Sequence, residues 1–255
     1  MYTDFATVYD ALMADVDYLS WARFYQELMA RYGLQGGHIC ECACGTGNLT
    51  QYFYDFGYGV IASDISREML QIASKKARDH AREGIHFICQ DMRKINLHHM
   101  QDAVLCTNDG VNYLQSEKDL MQFFQSAWQV LRPGGCLFFD LSTPYKLREV
   151  LGNHFIGDET QDISYLWQNR YNNMQDYVEM RLAVFVRQHD ETYQRIYEEQ
   201  RQYAHSQQRI ERLLNACGYR DIQIYGDKHF KRPSPQESRW FFSACKPEDL
   251  SMQEG

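Results

Sequence analysis

The chain has 255 residues, 44 % of them hydrophobic, and a formal net charge of −8. That length and apolar content suffice for a full core, while the acidic balance opposes nonspecific attraction to nucleic-acid phosphates, which normally needs a basic face. The N-terminus lacks a basic leader and an apolar segment, and no run approaches the ~18 apolar residues of a membrane span, so a soluble, cytoplasmic protein is expected.

Apolar residues recur near a 3.6-residue period over positions 3 to 31, through Tyr9, Leu12, Met13, Val16, Phe24 and Leu28, and predict a helical N-terminal lid that Gly33 closes. A strand follows at about 37 to 44, then a helix at 48 to 56, a strand at 58 to 63 and a helix from Ser66 to about 80. Further strands are expected at Ile85–Cys89, Ala103–Thr107 and Cys136–Leu141, with a helix after Ser116. Short apolar runs separated by amphipathic helices predict a parallel sheet covered on both faces.

From Pro144 onward the rhythm changes. Residues 162 to 204 alternate aromatic and polar side chains around a turn at His189-Asp190-Glu191-Thr192, which predicts antiparallel strands. A helix from about Ser206 to Cys217 and strands at Ile222–Tyr225 and Arg239–Ala244 complete the chain. The expected organisation is a lid at 1–35, a core at 36–143 and 205–246, an inserted β cap at 144–204 and a tail at 247–255. Six of the eight cysteines, Cys40, Cys42, Cys44, Cys89, Cys106 and Cys136, fall in predicted strands, where a free thiol behaves as a small buried hydrophobe. Reduced thiols are therefore expected, and the i, i+2 spacing of the first three does not match a metal knuckle, so no metal is expected.

The most informative stretch is Glu41-Cys42-Ala43-Cys44-Gly45-Thr46-Gly47, a strand that ends in a glycine turn opening a helix. Gly45 can adopt backbone angles closed to other residues, Gly47 has no Cβ to hold a ligand off the main chain, and the helix N-terminus has free N–H groups. A dinucleotide site wants GxGxxG, and here the third glycine place is Thr50. Asp64, at the tip of the second strand, is placed to accept from two ribose hydroxyls. Gln90-Asp91-Met92 follows the third strand, and Leu131-Arg132-Pro133-Gly134-Gly135 reads as a turn into the fifth.

These landmarks, in this order, resemble those of class I S-adenosyl-L-methionine (SAM) dependent methyltransferases. The resemblance spans residues 37 to 142. It implies a seven-stranded, mostly parallel Rossmann-like sheet of order 3-2-1-4-5-7-6 with the last strand antiparallel. It implies SAM as cofactor, S-adenosyl-L-homocysteine (SAH) as product, and a small-molecule acceptor methylated on N or O. The inserted strands are similar to those of sugar N-methyltransferase and glycine N-methyltransferase groups.

On this resemblance the cofactor contacts are Tyr18, Trp21, Glu41, Ala43, Gly45, Gly47, Asp64, Ile65, Asp91, Met92 and Asn108. Asp91 would take the adenine amino group, Met92 the ring, and the lid aromatics the sulfonium, which aromatic faces attract. Tyr9, Asp109 and Asn112, with Arg201, Tyr203 and His205 at the end of the insertion, are the candidate acceptor contacts, and His205 is the candidate base. Tyr193, Arg195, Tyr197, Glu199, Arg201 and Tyr203 share one strand face, suited either to an anionic acceptor or to a homodimer formed through the cap. Three other readings stay open: an RNA (tRNA) methyltransferase of the same fold, an NAD-dependent oxidoreductase, and a non-catalytic SAM-binding protein with a protein partner.

Overall fold

The computed structural model describes residues 5–189 and 192–248; the extreme N-terminus, Asp190 and Glu191 of the expected turn, and the tail beyond 248 lie outside them. The predicted lid resolves into two helices, α1 (Phe5–Leu12) and α2 (Tyr18–Ala30). Asp17 separates them, because its carboxylate accepts from the Ser20 backbone N–H at 3.0 Å and caps α2.

The chain then alternates: β1 (His38–Cys42), α3 (Asn48–Asp55), β2 (Gly59–Asp64), α4 (Arg67–Asp79), β3 (His86–Cys89), β4 (Gln101–Cys106), α5 (Glu117–Val130) and β5 (Leu131–Ser142). Serines start α4 and α5 as the sequence implied. The Ser66 hydroxyl accepts from Met69 N–H, and Ser116 forms a reciprocal capping box with Asp119. An inserted sheet follows, β6 (Phe155–Glu159), β7 (Ile163–Asn172), β8 (Tyr177–Arg187) and β9 (Tyr193–Tyr203), and then α6 (Gln207–Ala216), β10 (Arg220–Tyr225) and β11 (Arg239–Cys245). Strand β6 and a π-helical turn at Lys146–Val150 were not anticipated.

The main sheet runs β3-β2-β1-β4-β5-β11-β10, with β11 antiparallel to β5. Labels differ from the expected order because β6–β9 intervene; numbered alone, its seven strands read 3-2-1-4-5-7-6. Alternate residues of the central strands serve two cores. Val104, Cys106, Leu137 and Phe139 pack with α5 and α6, while Ala103, Leu105 and Phe138 pack with α2 and α3. Each buried Phe or Leu contributes roughly 1.5–3 kcal/mol, and burial on both faces explains the unbroken apolar runs.

Three expectations change. Leu131-Arg132-Pro133-Gly134-Gly135 is not a turn before the strand but the irregular start of β5, where Gly134 has φ 74° and the register against β4 shifts between Gln101 and Ala103. Cys136 and Cys245 form a disulfide, because antiparallel pairing of β5 with β11 sets them opposite each other with Cα atoms 4.1 Å apart. Cys89 is free but exposed, because β3 is the edge strand.

The second sheet, antiparallel in the order β6-β7-β8-β9, lays Leu182, Val184 and Ile196 against Phe5, Ala6 and Val8 of α1 and Met69 of α4. It thereby roofs the carboxyl ends of β1, β2 and β4. Among the described residues, no helix is long and apolar enough to cross a membrane.

Candidate active site

Beyond β1 the backbone takes left-handed angles at Ala43, Gly45 and Gly47 (φ 53°, 55° and 75°), and Gly47 caps α3. The turn is fastened to the end of β2 through Asp64. Gly45 N–H donates to Asp64 Oδ2 and Ser66 N–H to Asp64 Oδ1, each at 2.8 Å. Burial raises the Asp64 pKa, while these backbone donors oppose that rise. Beneath the turn, Glu41 is buried and accepts from the Thr50 and Thr107 hydroxyls. Its pKa is pushed up to about 7, chiefly by burial.

Around this turn lies a cavity of about 200 Å³ whose lining includes Glu41, Ala43, Gly45, Asp64, Ile65, Met92 and Asn108, with Tyr9 and Tyr18 from the lid. Nine sequence-predicted residues thus meet at one place. The Tyr18 hydroxyl is buried there beside Asn48 and Tyr9. Gly47 shapes the wall without lining it. Asp91 does not line it either: its carboxylate is held by Arg93 at 2.6 Å, which also bonds Asp119, and that guanidinium lowers the Asp91 pKa.

A second cavity of about 290 Å³ abuts the first and shares with it Phe5, Tyr9, Asn108, Tyr113 and Gln200. Its walls are largely apolar, from Leu12, Met13, Val16, Trp21, Tyr165, Trp167, Met180 and Leu182. Trp21, expected at the cofactor, lines this cavity instead and stacks over the Arg239 guanidinium at 4.5 Å. Asp109 lies here too, paired with Arg239 (Nη2–Oδ2 3.0 Å). Burial alone would raise the Asp109 carboxyl, but Arg239 holds it at about 2. Arg239 also bonds the fully buried Asp140, which accepts from the Asn108 and Asp109 N–H groups.

Four predicted acceptor residues do not line either cavity. Arg201 and Tyr203 lie on the opposite face of β9; Arg201 pairs with Glu179 at 2.9 Å and sits over the Tyr177 ring. The alternation of β9 is as expected, but the side turned inward is Ile196, Glu198, Gln200 and Gln202. Asn112 is buried and its amide is spent on the main chain, donating to Ser142 and Tyr203 carbonyls and accepting from Ser142 N–H. His205 is 1 % exposed and lines neither cavity; burial, then Arg209, lowers its pKa to about 4, so it is neutral at pH 7. Sequence reasoning missed Lys146, Trp167, Glu198, Gln200, Gln202 and Arg239, and period-two alternation was the one available signal for the β9 members.

The sequence profile of a family described as a methyltransferase domain matches residues 39–135. The chain is 33 % identical over 251 residues to a putative methyltransferase of Bacillus subtilis (strain 168), covering 98 % of this chain and 99 % of that one. It is similar to the crystal structure of an S-adenosylmethionine-dependent methyltransferase from Clostridium acetobutylicum ATCC 824, with TM-score 0.86, 31 % identity and 97 % and 99 % of the two chains covered. A sugar N-methyltransferase from Streptoalloteichus sp ATCC 53650 shares the fold at 17 % identity, with TM-score 0.78 over 94 % of this chain and 93 % of that one.

Proposed function

The chain belongs to the SAM-dependent methyltransferase family, and from that premise we propose that it transfers a methyl group to an N or O atom of a small molecule held in the second cavity. The observation that carries this reading is the pair of abutting cavities, one built on the glycine turn and Asp64, the other apolar and roofed by the inserted sheet.

The residues of the first cavity suit SAM. Asp64 is oriented by two backbone N–H groups and retains acceptor capacity for ribose hydroxyls. Left-handed backbone at Ala43, Gly45 and Gly47 lets the turn wrap closely around the cavity, and Tyr18 brings a hydroxyl to its wall. When bound, SAM would supply a sulfonium methyl open to in-line attack by an amine or hydroxyl, with SAH as the leaving thioether. The contribution of the chain is to orient the acceptor and exclude water. Tyr9, Asn108, Tyr113 and Gln200 stand in the walls common to both cavities, and Tyr113 donates to Gln200 at 2.7 Å, so these polar groups border the region where transfer takes place.

The test is thermal unfolding with SAM, SAH and NADH in parallel. A ligand at 100 times its Kd adds roughly 2.7 kcal/mol to native stability. Stabilisation by SAM and SAH but not NADH supports the reading, and stabilisation by NADH alone overturns it. Methyl transfer from labelled SAM to small amines and phenols then tests turnover.

A further inference from the structure

We infer that the acceptor carries a cationic nitrogen group about 7 Å from the atom that is methylated, and that Glu198 on the inner face of β9 holds it. The inference rests on the second cavity being the acceptor site and adds its chemical class.

Glu198 is 3 % exposed, lines the second cavity beside Gln200, and has a buried carboxylate oxygen, Oε2, with no close hydrogen-bond partner; burial raises its carboxyl above the usual range, and a bound cation would oppose that rise. A buried carboxylate with spare acceptor capacity calls for a partner, and the strongest is a cation that also donates. The other charged groups lining this cavity are already opposed. Arg239 is shared by Asp109 and Asp140. Lys146 faces the fields of Asp109, Asp140 and Asp227 as well as that of Arg239. Glu198 thus forms no ion pair among the described residues, and with Asp140 behind the wall three carboxylates stand against the two cations Arg239 and Lys146.

Position supplies the spacing. Gln200 belongs to the walls common to both cavities, where the methylated atom must sit. Glu198 is one alternation away on the same strand face, a step of about 7 Å along an antiparallel strand. Between and around them the walls are Trp167, Tyr165, Met180 and Leu182. Such a space favours an apolar body with a polar group at each end. The buried Trp167 Nε1, also without a partner, is an additional donor for a neutral acceptor atom on that body.

Tyramine, tyrosol and 4-hydroxyphenylacetate share a para-hydroxyphenyl body and end in an ammonium, a hydroxyl and a carboxylate. Their binding to the full-length protein saturated with SAH is measured by calorimetry at neutral pH, for wild type, Glu198→Gln and Glu198→Asp. Tyramine should bind wild type most tightly, lose about tenfold in affinity on Glu198→Gln, and recover part of it on Glu198→Asp. The affinity for SAH alone should stay unchanged in both variants, because Glu198 does not line the cofactor cavity. Equal or better binding of tyrosol or the carboxylate to wild type, no measurable tyramine binding, or tyramine affinity indifferent to Glu198→Gln overturns the assignment. The wild-type ranking decides the matter even if a variant fails to fold. Failure of SAH itself to bind instead removes the methyltransferase reading on which it stands.

Discussion

Asp10 of α1 accepts the Thr46 hydroxyl at 2.6 Å, so the lid is tied directly to the glycine turn. The same carboxylate accepts from Asn48 at 2.9 Å and pairs with Lys76 of α4 at 2.7 Å. Thr46 and Asn48 line the first cavity, the proposed cofactor site, while Asp10 does not, which makes Asp10 a positioning residue. Asp10→Ala should therefore raise the Kd for SAH roughly tenfold, the loss expected of a hydrogen bond to a charged group. The ligand-free melting temperature should change little, since the Asp10 side chain is 37 % exposed. Calorimetric titration checks it, and an unaltered Kd would show that the lid closes without this tie.

Arg239 links two carboxylates that arrive from separate elements, Asp109 after β4 and Asp140 within β5. Its side chain is 7 % exposed, so removing it leaves two acidic groups buried without their counter-ion. Arg239→Met should cost about 3–5 kcal/mol in denaturant unfolding. Asp109→Asn removes one acid from a site that still holds Asp140 and should cost less. Equal losses for the two would mean that the cluster is held by packing rather than charge.

The cluster of residues around the glycine turn was legible because its signals are local. Glycines at 45 and 47 must sit where the backbone turns left-handed, and Asp64 must end a strand whose length the apolar run sets. The lining of the second cavity was not, because alternation along β9 reveals two faces without saying which turns inward. The reading took the Tyr193 to Tyr203 side, and packing against α1 selected Ile196 and its partners instead. His205 and Asn112 looked available because polarity in sequence does not disclose burial. The Cys136–Cys245 pair was hidden for a different reason: 109 residues separate the two, and only the antiparallel docking of β11 on β5 brings them together.

Gly47 and Gly57 separate backbone strain from ligand contact. Both have left-handed angles, φ 75° and 90°, so alanine at either costs about 1–2 kcal/mol of stability. At Gly57 nothing lies within 4 Å of the added Cβ, whereas at Gly47 it meets the Ala73 Cβ at 3.1 Å and forces the turn or α4 to shift. Gly47→Ala should lower SAH affinity by tenfold or more, on the order of 1.4 kcal/mol, while Gly57→Ala leaves it intact. Parallel melts and titrations test this, and equal SAH affinity in the two variants would contradict the role given to the turn.

Glu41 and His205 give stability opposite slopes across one pH range. The Glu41 pKa is raised from 4.5 to about 7, so the folded state holds a proton that the unfolded state releases; its contribution is fully present below pH 4.5 and is lost as pH rises toward 7. The His205 pKa is lowered from 6.5 to about 4, so the unfolded state binds the extra proton; its contribution is fully present above pH 6.5 and is lost as pH falls toward 4. Each shift of this size corresponds to roughly 3 kcal/mol over the window. Glu41→Gln should therefore make stability rise more steeply with pH between 4.5 and 7 than in wild type, and His205→Gln should make it rise less steeply between 4 and 6.5. Urea unfolding at half-unit pH intervals resolves both, and parallel curves for wild type and a variant would mean that the substituted residue does not titrate differently on folding.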